Sequence, residues 1–301
     1  MAAALLAAAG LALAVVLWSG GHVGARWGGA SAADAEPLAD QRRPQRIMST
    51  NVCTDLLLLM LVPKERIASI THLAHDAVEV LMPGADVGVA INHGFAEEVV
   101  RQQPDLILAS RWSTPVVRRL AARVGAPLVE IDSADSFEDI RRVTRQVGTI
   151  VGEPARAEAL LAEMDRELVD LARSRPVEPV VVAAWNSGHV VPGEGTLTDA
   201  IIRAAGAVNI AARAPASRSS GFSLEELLAA RPDVIMRGED RYDGPSLQES
   251  ANEHPVVRKA FRGRRITYPA SLHACGLPQS ARAARQLRAA LATIPPGGVA
   301  W

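Results

Sequence analysis

The feature that most constrains this chain is an internal repeat. The stretch Gly94-Phe95-Ala96-Glu97-Glu98-Val99-Val100-Arg101-Gln102-Gln103-Pro104-Asp105-Leu106-Ile107 is echoed by Phe222-Ser223-Leu224-Glu225-Glu226-Leu227-Leu228-Ala229-Ala230-Arg231-Pro232-Asp233-Val234-Ile235. In both copies the first glutamate stands seven residues before the Pro-Asp pair. Each copy reads as a short helix with apolar residues at helical spacing. A proline ends the helix because it cannot continue it, and a buried strand follows.

The echo has two further anchors in the same order. Thr54-Asp55-Leu56-Leu57 matches Thr198-Asp199-Ala200-Ile201, and Pro115-Val116-Val117-Arg118-Arg119 matches Pro255-Val256-Val257-Arg258-Lys259. Self-similarity on this scale implies two copies of one structural unit. Strands are expected near Arg46–Ser49, Ile67–Ile70, Leu106–Ala109 and Leu128–Ile131 in the first copy. In the second they are expected near Val180–Ala184, Val190–Val191, Val234–Met236 and Arg265–Tyr268. Strands alternating with helices predict an α/β fold of two Rossmann-like lobes, each with a parallel sheet.

Between the copies, Leu160, Leu161, Met164, Leu168 and Leu171 recur at helical spacing, and one long helix is expected from about Ala155 to Ser174, stopped by Pro176 and Pro179. At 1.5 Å per residue it would run about 30 Å, a stiff spacer rather than a flexible hinge. The expected organisation is an N-terminal lobe over 45–150, a connecting helix over 151–176 and a C-terminal lobe over 177–296, with a ligand cleft between the lobes.

The first 44 residues read differently. An apolar run from Ala2 to Trp18 and a Gly-rich patch lead to Ala30-Ser31-Ala32-Ala33-Asp34-Ala35, which has the small-residue spacing of an export signal's cleavage site. Residues 1–35 are expected to be a signal peptide, with an uncleaved anchor as the alternative, and 36–44 a disordered linker. No cysteine lies near the cleavage sites, which argues against a lipid anchor. Across 301 residues the formal net charge is −1, so no basic field is available for a nucleic-acid backbone.

With its repeated Glu-(x)6-Pro-Asp unit and helix-linked lobes, the chain resembles the class III periplasmic binding proteins, the vitamin B12, ferric-siderophore and haem receptors of ABC importers. The resemblance runs from Arg46-Ile47-Met48-Ser49 to the Leu287 region. It implies a monomeric periplasmic protein without a cofactor of its own, which captures a bulky ligand containing iron or cobalt and hands it to a permease dimer, touching the membrane only through that permease. It also implies a role for Glu97 and Glu225: an acidic residue on each lobe docks onto permease arginines. Read from the residues alone, each glutamate pair could merely complement a helix dipole, with Glu98 and Glu226 sharing the role or being ordinary neighbours.

In open parallel α/β sheets ligands bind beyond the carboxyl ends of the strands. The residues expected there are Asn51, Cys53, Thr54, His72, His75, Asn92, His93, Arg111 and Trp112 on the first lobe. On the second they are Trp185, Asn186, His189, Arg237, His273 and Cys275. Trp112 and Trp185 are expected to stack on a bulky or planar ligand. Five of the seven histidines fall in this set, where imidazoles could ligate an exposed metal, although His72-x-x-His75 matches no zinc signature. Arg111 and Arg237 could pair with ligand carboxylates.

For Cys53 and Cys275 three readings stand: a bridge clamping the lobes, thiolate ligands to a soft metal, or independent buried thiols. The bridge ranks below the others, because locking the lobes would hinder access to the cleft; paired cleft cysteines are a departure from the family pattern. An enzyme is the rival of another class, but Gly-x-Ser-x-Gly, His-Glu-x-x-His and nucleotide-binding glycine motifs are all missing. A receptor for a bare transition-metal ion and a membrane-tethered sensor domain are the remaining alternatives.

Overall fold

A computed structural model of the chain describes residues 43–111, 115–185, 190–213, 219–221, 223–239 and 254–295. The expected signal segment lies outside the described residues.

The N-terminal lobe runs β1 (Ile47–Ser49), α1 (Val52–Leu61), β2 (Ile67–Thr71), α2 (His75–Leu81), β3 (Ile91–Asn92), α3 (Ala96–Gln102), β4 (Leu106–Ala109), α4 (Pro115–Val124) and β5 (Leu128–Glu130). Its strands form one sheet in the order β3-β2-β1-β4-β5, every pairing parallel. Two helices follow, α5 (Phe137–Ile150) and α6 (Pro154–Arg173).

The C-terminal lobe continues with β6 (Val181–Ala184), β7 (Val190–Pro192), α7 (Leu197–Ala204), β8 (Val208–Asn209), β9 (Ser219–Gly221), α8 (Leu224–Ala230), β10 (Val234–Glu239), α9 (Pro255–Ala260), β11 (Arg265–Pro269), α10 (Ser271–Ala274) and α11 (Ser280–Leu291). Its parallel sheet has the order β11-β10-β6-β8. That order reproduces β5-β4-β1-β2 strand for strand, so the sequence repeat is a repeat of topology. One expected strand departs from the scheme. Val190–Pro192 pairs antiparallel with β9 in a separate ribbon and takes no place in the parallel sheet.

The Pro-Asp pairs fasten helix ends to strand starts. Helices α3 and α8 end in left-handed residues, Gln103 at φ 46° and Arg231 at φ 51°. After each proline the aspartate turns back to the lobe's first strand. Asp105 accepts from the backbone N–H groups of Gln45 at 2.7 Å and Arg46 at 2.9 Å, and Asp233 accepts from that of Val181 at 2.8 Å. Strand-start donors that would otherwise lack partners are thereby satisfied.

Helix α6 carries proline at its first turn, where no hydrogen bond is lost. It is no isolated spacer. It packs along α5 and α11, and at the α5 crossing a Cβ added to Gly148 would fall 2.5 Å from that of Ala157. Arg288 on α11 donates to the carbonyls of Leu171, Ser174 and Ala205, holding the C-terminal ends of α6 and α7. The inner faces of both sheets, together with α1, α5, α6, α7 and α11, share one continuous apolar core. It runs from Ile47, Leu56 and Ile70 through Ile140, Leu161 and Met164 to Val182, Ile201 and Leu287. Two smaller clusters cover the outer faces, Val99 and Val117 on Met48 and Ile107 in one lobe, Leu227 and Val257 on Trp185 and Ile235 in the other.

Candidate functional site

Because both sheets are parallel, the loops after their strands gather where the lobes face each other. Asn51, two residues after β1, caps α1 by accepting from the N–H groups of Cys53 and Thr54. The Thr54 hydroxyl, nearly buried, lies 2.7 Å from that of Ser49 and donates to the Asn51 carbonyl at 2.9 Å.

Cys53, one residue into this helix, is joined to Cys275, just past α10 of the opposite lobe, with Cα atoms 5.2 Å apart. The expectation of separate or ligand-contacting thiols is therefore corrected: the two residues form a disulfide between the lobes. The adjoining contact is equally close, since a Cβ on Gly276 would stand 2.2 Å from the Ala134 carbonyl oxygen. A shared core already fixes the lobes, so the bridge removes little motion that the ligand would need.

Beside the bridge, on its β4–β5 side, lies a cavity of about 260 Å³. Its walls include Asn51, Cys53, Thr54, Ser110, Asp132, Ser133 and Asp135 from the first lobe and Thr196, Thr198, His273 and Gly276 from the second. An adjoining depression of about 410 Å³ shares Asp132, Ser133 and Asp135 and adds Arg111, Asp139, Arg142 and Gly195. His273 packs against the Tyr268 ring, centroids 4.0 Å apart, with Nδ1 3.4 Å from the Thr198 hydroxyl. Burial pushes its pKa down to about 3, so the imidazole is neutral.

On the other side of the bridge the rings of His72 and His93 stack at 4.8 Å, and His93 stacks on Phe95 at 6.0 Å. This exposed ladder is anchored by the backbone N–H of His93, which donates to Glu98 at 2.9 Å. His75 does not join it. Its Nδ1 lies 2.7 Å from an Asp86 carboxylate oxygen, so the His72-x-x-His75 pair diverges.

Several expectations need correction. Trp185 is wholly buried in the outer core of its lobe with Phe261 and Leu227 and offers nothing to a cleft. It directly follows β6, and its N–H still bonds Met236 O at 3.1 Å, so the chain has not yet left the sheet. Arg237 lies inside β10, paired in register with Thr267, rather than beyond the strand. Arg111 is at the rim, but its guanidinium is engaged by Asp132. Trp112, Asn186 and His189 lie outside the described residues. Asp132 and Asp135, and the hydroxyl residues Ser110, Ser133, Thr196 and Thr198, are absent from the expected set, although Asp132 and Asp135 closely follow a strand that the sequence does predict.

The two glutamate pairs divide by role. Glu98 is buried and accepts from the N–H groups of His93 and Phe95, both at 2.9 Å, and Glu226 accepts from that of Ser223 at 2.7 Å. These residues cap the starts of α3 and α8. Glu97 and Glu225 are exposed, and neither makes a hydrogen bond or ion pair among the described residues.

The model of the periplasmic binding protein family matches residues 49–259. Cobalamin-binding proteins of two Halobacterium salinarum strains are 27% identical to the chain over 214 residues, 66% of this chain and 56% of theirs. The chain thus spans just over half the length of the curated relatives it matches. Among solved structures, the periplasmic heme-binding protein RhuT from Roseiflexus sp. RS-1 superposes with TM-score 0.66 at 21% identity, over 83% of this chain and 99% of that one. The periplasmic vitamin B12 binding protein BtuF of Vibrio cholerae does so with TM-score 0.61 at 16% identity, over 85% and 99%. At these identities the structural likeness is one of fold. Two helix-linked parallel lobes and a family match across most of the described chain lead to one conclusion: this chain belongs to the periplasmic binding protein family.

Proposed function

We propose that this protein is the exported solute-binding component of an ABC importer, that it captures an uncharged or amide-rich metal chelate of the corrinoid class in its interlobe cleft, and that it presents the cargo to a permease through Glu97 and Glu225. The observation that carries the reading is the pair itself. The other polar positions of the repeated unit are occupied in holding the fold. Glu98 and Glu226 cap helices, Gln103 and Arg231 end them, and Asp105 and Asp233 hold strand starts. Glu97 and Glu225 are left facing solvent at equivalent places. Exposed carboxylates contribute little to stability, but on two rigid lobes they orient and accelerate encounter with a cationic partner.

The cleft's charge supports this choice of ligand class. The ionisable groups lining the 260 Å³ cavity are Asp132, Asp135 and a neutral His273, among hydroxyls. Haem carries two carboxylates, and the rim cations that could meet them, Arg111 and Arg142, are already held by Asp132 and Asp139, whereas corrinoid amides would find acceptors. A cavity this small holds one edge of such a ligand, with the rest across the shared rim. The cobalamin-binding relatives point the same way.

Calorimetric titration of the mature protein with cobinamide, cobalamin, haemin and a ferric siderophore tests this choice. Saturable one-to-one binding of a corrinoid, with haemin at least tenfold weaker, is expected. Preference for haemin would overturn the corrinoid assignment, and binding of none of the four would remove the chelate reading altogether.

A further inference from the structure

A second cluster of donor groups lies on the flank of the N-terminal lobe, away from the cleft. His75 and Glu79 stand four residues apart on α2 and therefore share a helical face. Asp86, in the turn that follows, comes up beside them. One ligand atom from each of the three residues lies within 4.8 Å of the others. None of the three lines the interlobe cavity.

The support beneath this cluster is firm. The Asp86 side chain is only 8% exposed. Its turn is closed by Ala85 N–H to Met82 O at 3.0 Å and Val89 N–H to Asp86 O at 2.9 Å. Lys64 reaches across and donates to the carbonyls of Gly84 and Val87 at 3.2 and 3.1 Å. This lysine is thus spent on the backbone of the turn rather than on the carboxylates.

A simple ion pair between His75 and Asp86, with Nδ1 and Oδ2 2.7 Å apart, accounts for two of the groups. It does not account for Glu79, whose carboxylate lies within the same 4.8 Å. Two carboxylates and one imidazole therefore converge on one point, a donor set that a dication can bind.

We propose that His75, Glu79 and Asp86 form a binding site for one divalent first-row transition ion, zinc being the probe of choice. One imidazole and two carboxylates suit such an ion better than magnesium or calcium, which favour oxygen donors alone. Zinc bonds of about 2.0–2.2 Å would require the donors to draw in from their present separation. Glu79 is exposed and free to turn, and Asp86 is already in place. Water completes the coordination shell. Because α2 packs against α10 of the other lobe, the ion would stiffen the flank of the interlobe seam without entering the ligand site.

The test is calorimetric titration of the chelator-treated, disulfide-intact mature protein with zinc chloride, repeated with cobalt(II) to read visible d–d bands. One ion per chain is expected. His75→Ala should abolish the step, and Glu79→Gln should weaken it at least tenfold. His72→Ala and His93→Ala should leave it unchanged, because that neighbouring pair is the rival site. No saturable step in the wild type, equal binding by His75→Ala, or loss confined to the His72 and His93 variants would each overturn the assignment. Melting curves in chelator establish that every variant is folded, and zinc should raise the melting temperature of the wild type but not of His75→Ala.

Discussion

Cys53 and Cys275, 222 residues apart in the chain, are bonded to one another between the two lobes. A crosslink closing so long a loop restricts the unfolded ensemble by up to about 5 kcal/mol in the chain-entropy description. Reduction, or the double change Cys53→Ser and Cys275→Ser, should lower stability by several kcal/mol, measured by denaturant titration with and without thiol. Coincident curves would show that the bridge carries no stability.

Next to the bridge, Gly276 leaves no room for a side chain. Gly276→Ala would drive a methyl group to 2.2 Å from the Ala134 carbonyl oxygen, contact with backbone that cannot swing aside. A loss of roughly 1–3 kcal/mol is expected from such overpacking. Thermal melting of the variant checks this, and an unchanged midpoint would mean that the seam can open at no cost.

The glutamate pairs should separate experimentally. Glu97→Arg with Glu225→Arg should leave folding within about 0.5 kcal/mol of wild type, as for exposed positions without structural partners, and should abolish cargo uptake in cells while ligand binding persists. Glu98→Ala and Glu226→Ala should each cost about 1 kcal/mol through the loss of a cap. Wild-type uptake by the double arginine variant would end the docking assignment.

Asp55 supplies a pH dependence. Its carboxyl is fully buried, with one oxygen accepting from the N–H and hydroxyl of Thr71 at 3.2 and 2.5 Å and the other without a hydrogen-bond partner among the described residues. Burial raises its pKa from 3.8 to about 6. Well below pH 4 the group is protonated whether folded or not and costs nothing. Between pH 4 and 6 the unfolded state loses its proton first, so stability falls as pH rises, by about 3 kcal/mol for two units. Asp55→Asn should flatten that segment of the stability curve, and parallel curves for the two proteins would show that Asp55 does not titrate there.

Much of this architecture is legible in the sequence because the repeat doubles every signal. Glu97 and Glu225, the Pro-Asp turns and the longer strands can each be read twice. Ile91–Asn92, Val208–Asn209 and Ser219–Gly221 are strands of only two or three residues, too short for periodicity to register. For Trp185, a shift of one residue at a strand end is enough to turn a side chain from a loop into a core. Bridging of Cys53 and Cys275 depends on the distance between lobes, which no local pattern encodes. A bridge obstructs a cleft only if the lobes must part to admit the ligand. The continuous core through Leu161 and Met164 removes that condition.

That same core bears on how the chain can be divided. Since residues from both sheets pack into it, neither half would keep its inner face dry alone. Heating should give a single calorimetric transition whose van't Hoff and measured enthalpies agree. A fragment ending before α6 should aggregate, even though each half carries a full copy of the repeated unit.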